Sequence, residues 1–192
     1  KLAIPNLVIG FGAATLVPYF NVFYAERYKM GDSTLGILFS LGALLTGIGC
    51  IIGPRLVGNL GGKIRTIVLG QGASLVFLLL IGFSPWPWLS VIGFLARGAL
   101  MNMVAPLFDA FALEQSHESE HGAVNSIRNL AWNFGWAVGP YISGIVQQRY
   151  GFSPLFVSTA ILYALGIGLT WIFFRPRAIQ VPIAGPVIEE AI

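Results

Sequence analysis

The string GPRLVG at residues 53–58 recurs as GPYISG at residues 139–144, with both glycines and the proline kept. The two copies are 86 residues apart, and each ends a long apolar segment. That offset equals about three membrane-spanning helices with their loops, at about 20 apolar residues per span. The repeat therefore predicts two three-helix units in one membrane-embedded chain. Chance is the alternative, because 24 glycines and 11 prolines produce glycine–proline pairs easily.

The composition of the chain is that of a membrane protein. Hydrophobic residues make up 56% of it and charged residues only 10%, whereas about 25% charged is typical of soluble domains. Each charge-free run can cross a hydrocarbon core about 30 Å thick. The run 66–96 is too long for one span and contains the helix-breaking Ser84-Pro85-Trp86-Pro87, so it is divided into two helices. The charge-free runs are 2–25, 33–54, 66–96, 129–148 and 150–174.

The predicted fold class is all-α, a polytopic membrane protein with six transmembrane helices arranged as two inverted three-helix repeats. In this prediction residues 1–177 form the six-helix transmembrane bundle and residues 178–192 a cytoplasmic tail. Lys1 is not a natural start, so we expect the chain to be a fragment or a processed piece. The six predicted helices are 3–25, 34–57, 66–83, 88–113, 123–147 and 154–174.

The distribution of lysine and arginine predicts the orientation. With six spans, seven basic residues fall on the side of both termini and three on the opposite side, while Arg97 falls inside the membrane. Basic residues are enriched in cytoplasmic loops. The prediction is therefore a multi-pass protein of the cell membrane with both termini in the cytoplasm. The net charge of +3 follows from this orientation rather than from a nucleic-acid partner.

The apolar segments lack the residues that most catalytic chemistry requires. Both histidines, His117 and His121, fall in one loop, and Cys50 is the only cysteine. A histidine-dependent or zinc-dependent hydrolase inside the membrane would therefore have no base and no ligand set. Gly61-Gly62-Lys63 lacks the Ser/Thr and the upstream spacing of a phosphate-binding P-loop. No enzyme activity, cofactor or metal site is expected.

The loop between the second and third predicted helices reads VGNLGGKIR at residues 57–65. It resembles the signature loop of the major facilitator superfamily, a Gly-x-x-x-Asp-Arg-x-Gly-Arg-Lys type of pattern. The stretch LGGK matches the end of that pattern, while Gly58 replaces its Asp and Asn59 its Arg. The resemblance implies an inner-gate role for Lys63 and Arg65, whose charges can pair across a closed gate. A plain basic turn is the alternative.

A second resemblance lies between the fourth and fifth predicted helices, where Glu114 is followed after six residues by His121-Gly122. Members of the same family often carry Glu, six residues, Arg and then Gly at this inner loop, so His121 stands in place of the arginine. Arg128 follows two helical turns later and can take over the pairing. Imidazole titrates near neutrality, which makes a pH-sensitive gate one hypothesis for His121. A solvated loop histidine is the alternative.

The fifth predicted helix carries Gly135-x-x-x-Gly139-Pro140-x-x-Ser143-Gly144. This resembles a motif that proton antiporters of the family carry in helix 5 of their first half, and here it falls in the symmetry-related helix. Small residues four apart let helices pack backbone to backbone, and a proline removes one helical hydrogen bond. We therefore predict a packing role for both glycine–proline copies. The predicted packing residues are Gly53, Pro54, Gly135, Gly139, Pro140 and Gly144.

Together these motifs make the whole chain resemble the C-terminal six-helix half, helices 7–12, of a major facilitator superfamily transporter. The resemblance implies two six-helix bundles with the substrate path between them. The expected partners are the missing N-terminal six-helix half, membrane lipid and a small-molecule substrate.

Two charged residues of the fourth predicted helix lie at different depths in the membrane. Arg97 lies about 13 Å beyond Trp88 at 1.5 Å per residue, close to the midplane. A charge at that depth is costly, so it is a candidate for binding an anion or a carboxylate of the missing half. Structural pairing is the alternative. Asp109 lies about 31 Å from Trp88, near the inner interface, where it is a candidate for a gate or a helix cap.

Two groups of polar and aromatic residues complete the predicted pathway. Asn129, Trp132 and Trp136 share one helical face that suits a cavity for molecules of mixed character, or else hydrogen bonds between helices. Tyr19 and Asn21 fit either the mouth of the cavity or an interfacial aromatic belt. The predicted substrate-pathway residues are Arg97, Asn102, Tyr19, Asn21, Asn129, Trp132 and Trp136. The predicted inner-gate residues are Lys63, Arg65, Asp109, Glu114, His121 and Arg128.

The expected function is alternating-access secondary transport of a small solute, linked to protons, with efflux of drug-like compounds favoured. Uptake of a small metabolite anion at Arg97 is the first alternative. A six-helix membrane scaffold that does not transport is the second.

Overall fold

The computed structural model describes residues 3–114, 117 and 121–174. This part of the chain is helical and contains no β-strand, which confirms the all-α prediction. The predicted tail at 178–192 lies outside the described residues. The α-helices are α1 Ala3–Leu16, α2 Phe20–Tyr28, α3 Asp32–Leu56, α4 Lys63–Phe83, α5 Pro87–Met103, α6 Ala105–Glu114, α7 His121–Tyr150 and α8 Ser153–Phe174.

Five helical segments of the described chain are long and apolar enough to cross a membrane. The helix α7, with 30 residues, is not among them. It is more polar than the others because Asn125, Arg128 and Asn129 interrupt its apolar residues. A sixth span through α7 therefore stays a prediction. The five candidate spans are Ala3–Tyr28, Asp32–Leu56, Lys63–Phe83, Pro87–Glu114 and Ser153–Phe174.

The first span is a broken helix. A 3-10 turn at Val17–Tyr19 separates α1 from α2, with Pro18 inside the turn. Proline has no backbone N–H to donate to the preceding turn, so the α-helical hydrogen-bond ladder is interrupted there. The chain continues beyond the predicted end at residue 25, and α2 ends at Tyr28 before Lys29, which has a left-handed backbone with φ 54°.

The fourth span is also broken, where the sequence predicted one helix over 88–113. The helix α5 ends at Met103, Val104 forms a turn, and α6 begins at Ala105. Pro106 explains the break, because its ring would clash with the carbonyl of Asn102 in an unbroken helix and it donates no hydrogen bond. The two broken spans are thus the first of each predicted three-helix unit.

The helices pack in a regular scheme. The most extensive contacts join α1 to α7, α3 to α5, α4 to α5 and α1 to α8, and α4 also packs against α8. A buried aromatic cluster lies where α2, α5 and α8 meet, with the ring of Phe20 centred 5.3 Å from that of Phe94 and 6.3 Å from that of Phe156. The main buried core is formed by side chains of α1, α2, α3, α4 and α8, with α5 packed against it.

Glycines allow close approaches between α7 and α1 and between α3 and α5. A Cβ added to Gly139 on α7 would lie 2.8 Å from Cβ of Ala14 on α1. A Cβ added to Gly49 on α3 would lie 2.7 Å from the carbonyl oxygen of Ala99 on α5, and one on Gly53 would clash with the carbonyl oxygen of Met103. Backbone contact of this kind requires small residues at the interface.

Candidate functional site

A cavity of about 250 Å³ opens between α1, α4, α5, α6 and α7, beside the break in the fourth span. Its wall combines polar side chains with apolar and aromatic ones. Side chains with both donors and acceptors suit recognition of small polar molecules. The polar wall residues are Asn6, Gln71, Asn102, Asp109, Arg128 and Asn129. The other wall residues include Ile9, Met101, Phe108 and Trp132.

The break at Val104 positions two of the polar residues. Asn102 lies just before it and donates from Nδ2 to the carbonyl oxygen of Gly98 over 2.9 Å. The thiol of Cys50 on α3 donates to the carbonyl oxygen of Asn102 over 3.3 Å. Asp109 lies beyond the break on α6, and both residues line the same cavity. The interruption thus provides backbone and side-chain polarity within an apolar span, a feature of binding sites in transport proteins.

An ion pair joins two walls of the cavity. Arg128 on α7 donates from Nη2 to Oδ1 of Asp109 over 2.6 Å and from Nη1 to Oδ1 of Asn125 over 3.4 Å. Its guanidinium carbon lies 5.2 Å from the ring centre of Phe108, in cation–π contact. The arginine side chain is buried, whereas that of Asp109 is 63% exposed. The carboxylate therefore keeps acceptor capacity toward the open side.

Two buried polar atoms of the cavity wall have no hydrogen-bond partner among the described residues. They are Oε1 of Gln71, an acceptor, and Nε of Arg128, a donor. A buried polar atom without a partner costs about 1–3 kcal/mol, so such atoms are rare in folded proteins. Both atoms belong to side chains of the cavity wall, although the atoms themselves are buried.

The predicted pathway residues on α7 and α5 divide between the cavity and its border. Asn102, Asn129 and Trp132 line the cavity. Trp136 lies one turn beyond Trp132, with ring centres 6.4 Å apart, and its buried Nε1 has no partner within the described chain. Tyr19 lies elsewhere, at the break of the first span.

Tyr19 and Asn21 lie at and just after the break of the first span, outside the cavity wall. The hydroxyl of Tyr19 donates to the carbonyl oxygen of Pro140 on α7 over 2.7 Å. Asn21 is exposed on α2. Tyr19 therefore ties the broken first span to α7, and neither residue lines the cavity.

Arg97 lies inside the bundle and not in the cavity wall. It is 6% exposed and donates from Nη2 to the hydroxyl oxygen of Tyr163 on α8 over 2.5 Å. Its guanidinium carbon also lies 5.5 Å from the ring centre of Phe20. It forms no ion pair within the described part of the chain. These contacts join α5 to α2 and α8, and the assignment of Arg97 to the substrate pathway stays a prediction.

The predicted inner-gate residues fall into separate pairs. Lys63 at the start of α4 forms an ion pair with Glu114 at the end of α6. Asp109 and Arg128 form the second pair, inside the cavity. Nε2 of His121 lies 3.1 Å from the carbonyl oxygen of Leu113.

Arg65 is exposed at a different surface, between α4 and α8. The predicted gate residues therefore lie in three places: the Lys63–Glu114 ion pair near the loops, the Arg128–Asp109 ion pair in the cavity, and Arg65 outside both.

The predicted packing glycines on α7 lie at close approaches. A Cβ on Gly135 would meet the backbone of Phe11 at 2.9 Å, and one on Gly144 would meet the hydroxyl of Tyr19 at 2.7 Å. Gly49 has the same role on α3 and was not predicted. Its signal was present, since Gly49 and Gly135 are separated by the same 86 residues as the glycine–proline copies.

The sequence reasoning also missed three other residues of the site and its support. Gln71 and Asn6 line the cavity, and Tyr163 pairs with Arg97. Gln71 is an amide inside a charge-free apolar run, and a polar residue at membrane depth is a signal for a site. For Tyr163 no sequence signal distinguishes it from the other aromatic residues of the chain.

Comparison with known proteins gives one consistent family. The family model described as Major Facilitator Superfamily matches residues 2–189. A protein of Escherichia coli O6:H1 called "Uncharacterized MFS-type transporter YhhS" is 23% identical over 175 residues, which cover 91% of this chain and 42% of that protein. The protein of the same name from Salmonella enteritidis PT4 is 25% identical over 162 residues, covering 84% and 38%. The chain thus spans about two fifths of the length of these curated relatives.

Proposed function

The chain belongs to the Major Facilitator Superfamily, and from this membership we propose that it is one six-helix half of a secondary transporter that moves a small solute by alternating access. The family is one of transporters, which confirms the prediction that the chain is not an enzyme. It is an integral membrane protein. Its placement as the C-terminal half, in the cell membrane with both termini cytoplasmic, belongs to the proposal.

The packing scheme supports two inverted three-helix repeats. The two repeats would pair the first span with the fourth, α3 with α7, and α4 with α8. Under this exchange the contact of α1 with α7 becomes the contact of α5 with α3. The same exchange converts α1–α8 into α5–α4 and leaves α4–α8 unchanged. An internal repeat related by a pseudo-twofold axis in the membrane plane produces this pattern. We infer that α7 is the sixth span.

The glycine–proline copies support the same repeat. Gly49 and Gly53 on α3 approach the backbone of α5, and Gly135 and Gly139 on α7 approach α1. Each copy therefore packs on the first helix of the other repeat. If the two three-helix units are structural repeats, glycines at equivalent positions are expected to make equivalent helix contacts.

The observation that carries the transport proposal is the cavity with its two unpartnered polar atoms. The acceptor Oε1 of Gln71 and the donor Nε of Arg128 are buried without a partner among the described residues, and a shift of either cavity-wall side chain would offer the atom to a solute. The cavity of about 250 Å³ is smaller than most complete sites, which range over about 300–1,000 Å³. A second bundle facing the exposed side of Asp109 would complete it.

The sequence predicts no carboxylate at mid-membrane depth in this half, so that a coupling carboxylate would come from the missing half. The ion pair of Asp109 with Arg128 suggests instead that proton linkage acts at this pair. Protonation of the exposed carboxylate of Asp109 would weaken the 2.6 Å ion pair and free the guanidinium of Arg128 for a solute. Release of the proton would restore the pair and expel a competing anion. This exchange is one physical route from proton binding to a change in solute affinity.

Efflux of drug-like compounds is favoured by the amides and the indole of Trp132 in the cavity wall. Uptake of a small anion remains the second candidate, carried by the unpartnered Nε of the buried Arg128. In that case Arg128 would be the anion ligand, since Arg97 lies away from the cavity.

The test uses the native protein purified from its membrane. Thermal stability is measured with a panel of amphipathic cations, small carboxylates and neutral amides, and stabilising compounds are then followed as flux into proteoliposomes with and without a pH gradient. The proposal expects at least one compound that both stabilises the protein and moves with the gradient. A protein that stays folded, yet moves none of the compounds that stabilise it, would favour the scaffold function.

A further inference from the structure

A second cavity lies on the outer surface of the bundle, in the groove between α4 and α8. It has a volume of about 580 Å³ and an almost entirely apolar wall. Arg65 and Trp171 bound it at one end, and Leu75 and Ala164 at the other. We call it the α4–α8 groove. None of its residues lines the cavity described above.

Two glycines form the floor of the α4–α8 groove. Gly72 on α4 and Gly168 on α8 both line it, and beyond the backbone of its own helix no described heavy atom lies within 4 Å of the place where a Cβ would be on either one. Neither glycine is needed for a close helix approach, in contrast to Gly139 on α7. The groove is deep because both positions lack a side chain.

The length of the groove matches one leaflet of a bilayer. Ten residues of helix separate Arg65 from Leu75, which is about 15 Å at 1.5 Å per residue. Half of a hydrocarbon core about 30 Å thick is the same length. A transmembrane helix of another protein would pack along the full length of α4, whereas this groove covers only its first half.

The polar end of the groove has the chemistry of a lipid headgroup site. Arg65 is exposed two residues after the start of α4 at Lys63, so the positive end of the helix dipole adds to its charge. A guanidinium binds phosphate oxygens in a fork geometry. The indole of Trp171, 38% exposed, lies at the same end, where tryptophan prefers the membrane interface.

We propose that the α4–α8 groove binds one anionic phospholipid, with its phosphate on Arg65 and an acyl chain over Gly72 and Gly168. The groove is the apolar half of such a site, one leaflet deep, and Arg65 is the charged half. The lipid comes from the leaflet on the Lys63 side of the membrane. Binding here does not depend on the transport function, because the groove and the cavity have separate walls.

The test places the native protein in phosphatidylcholine nanodiscs that contain a trace of phosphatidylglycerol with a diazirine in its acyl chain. After illumination, peptide mass spectrometry measures the adducts on residues 153–174. Phosphatidylcholine carrying the same diazirine chain is the headgroup control. We expect the phosphatidylglycerol adducts to exceed those of phosphatidylcholine about fivefold, the factor for one basic group near an anionic headgroup.

Three variants separate the parts of the site. Arg65→Gln should remove the fivefold preference, while Arg55→Gln, the same charge change at the exposed end of α3, should leave it intact. Gly168→Leu should remove adducts of both lipids from the groove by filling its floor. An excess of sn-glycerol 3-phosphate, which has the phosphate but no chain, should not displace the lipid.

Equal labelling by the two lipids would overturn the proposal, as would a fivefold preference that survives Arg65→Gln. Labelling of residues 153–174 that is unchanged in a correctly eluting Gly168→Leu protein would place the lipid outside the groove and also contradict it. Transport flux is not part of this readout, so failure here leaves the proposed function standing.

Discussion

Arg128 on α7 and Asp109 on α6 form an ion pair of 2.6 Å across the cavity, the arginine buried and the carboxylate 63% exposed. The pair joins the two helices whose other contacts with each other are few. Separation of α6 from α7 must therefore break this pair, and under the proposed function it is the point where solute binding, proton binding and helix movement would be coupled.

Asp109→Asn should reduce stability and remove the pH dependence of flux. The buried guanidinium of Arg128 would lose its countercharge, which costs about 1 kcal/mol once the exposure of Asp109 is allowed for. Flux under an imposed pH gradient and thermal unfolding of the purified variant measure the two effects. Lys63→Gln, which breaks the more exposed pair with Glu114, is the control and should change stability less. A pH profile of flux identical to that of the wild type would exclude Asp109 as the coupling group.

Gln71→Leu should make the protein more stable and less active. The substitution removes the buried Oε1 that has no partner in the described chain, and with it a cost of about 1–3 kcal/mol. The same change removes an acceptor from the cavity. Thermal unfolding and solute affinity are the measurements, and a stabilised variant with unchanged affinity would show that Gln71 does not contact the solute.

Gly53→Ala and Gly139→Ala should both destabilise the bundle, by about 1–3 kcal/mol each. The added methyl group would collide with Met103 in the first variant and with Ala14 in the second. Gly47→Ala on α3 is the control, because no described atom lies within 4 Å of its added Cβ. It should be neutral or stabilising by up to about 1 kcal/mol, since alanine favours the helix. A loss in Gly47→Ala equal to that in the other two would mean that packing is not the cause.

Tyr163→Phe should lower stability while preserving flux per folded molecule. The variant removes the hydroxyl that accepts from Arg97 over 2.5 Å, and a hydrogen bond to a charged group contributes about 1.5–3 kcal/mol. Tyr141→Phe, at a 75% exposed position of α7, is the control. If Tyr163→Phe kept its stability but lost flux, Arg97 would act in the solute path and not in the support of the bundle.

The sequence predicted the parts of the fold that depend on local and repeated patterns. Charge-free runs and the break at residues 84–87 indicated five apolar spans that the structure also contains, and the two glycine–proline copies predicted close packing. The break at Val104 was not predicted, although Pro106 was visible, because the apolar pattern continues through it. Pro106 interrupts the helix within an apolar run, just as the prolines at residues 84–87 do.

The site was predicted less completely, for a geometric reason. Depth along the helix gave Arg97 a position near the midplane, but depth does not determine whether a side chain points to a cavity or into the bundle. Its partner Tyr163 is 66 residues away and on α8, so only the tertiary structure brings the two together. Asn129 and Trp132 were predicted from a shared helical face, which a periodic pattern does reveal.

The most direct test of the transport account is the two-sided accessibility of Asn129. Asn129→Cys is made in a background without other cysteines, and a membrane-impermeant maleimide is applied to vesicles of each orientation. Ile161→Cys, at a 56% exposed apolar position of α8, is the control for a lipid-facing site. Alternating access predicts that Asn129→Cys reacts from both sides of the membrane while Ile161→Cys reacts from neither. Reaction of Asn129→Cys from one side only, under every condition of solute and pH, would contradict the account.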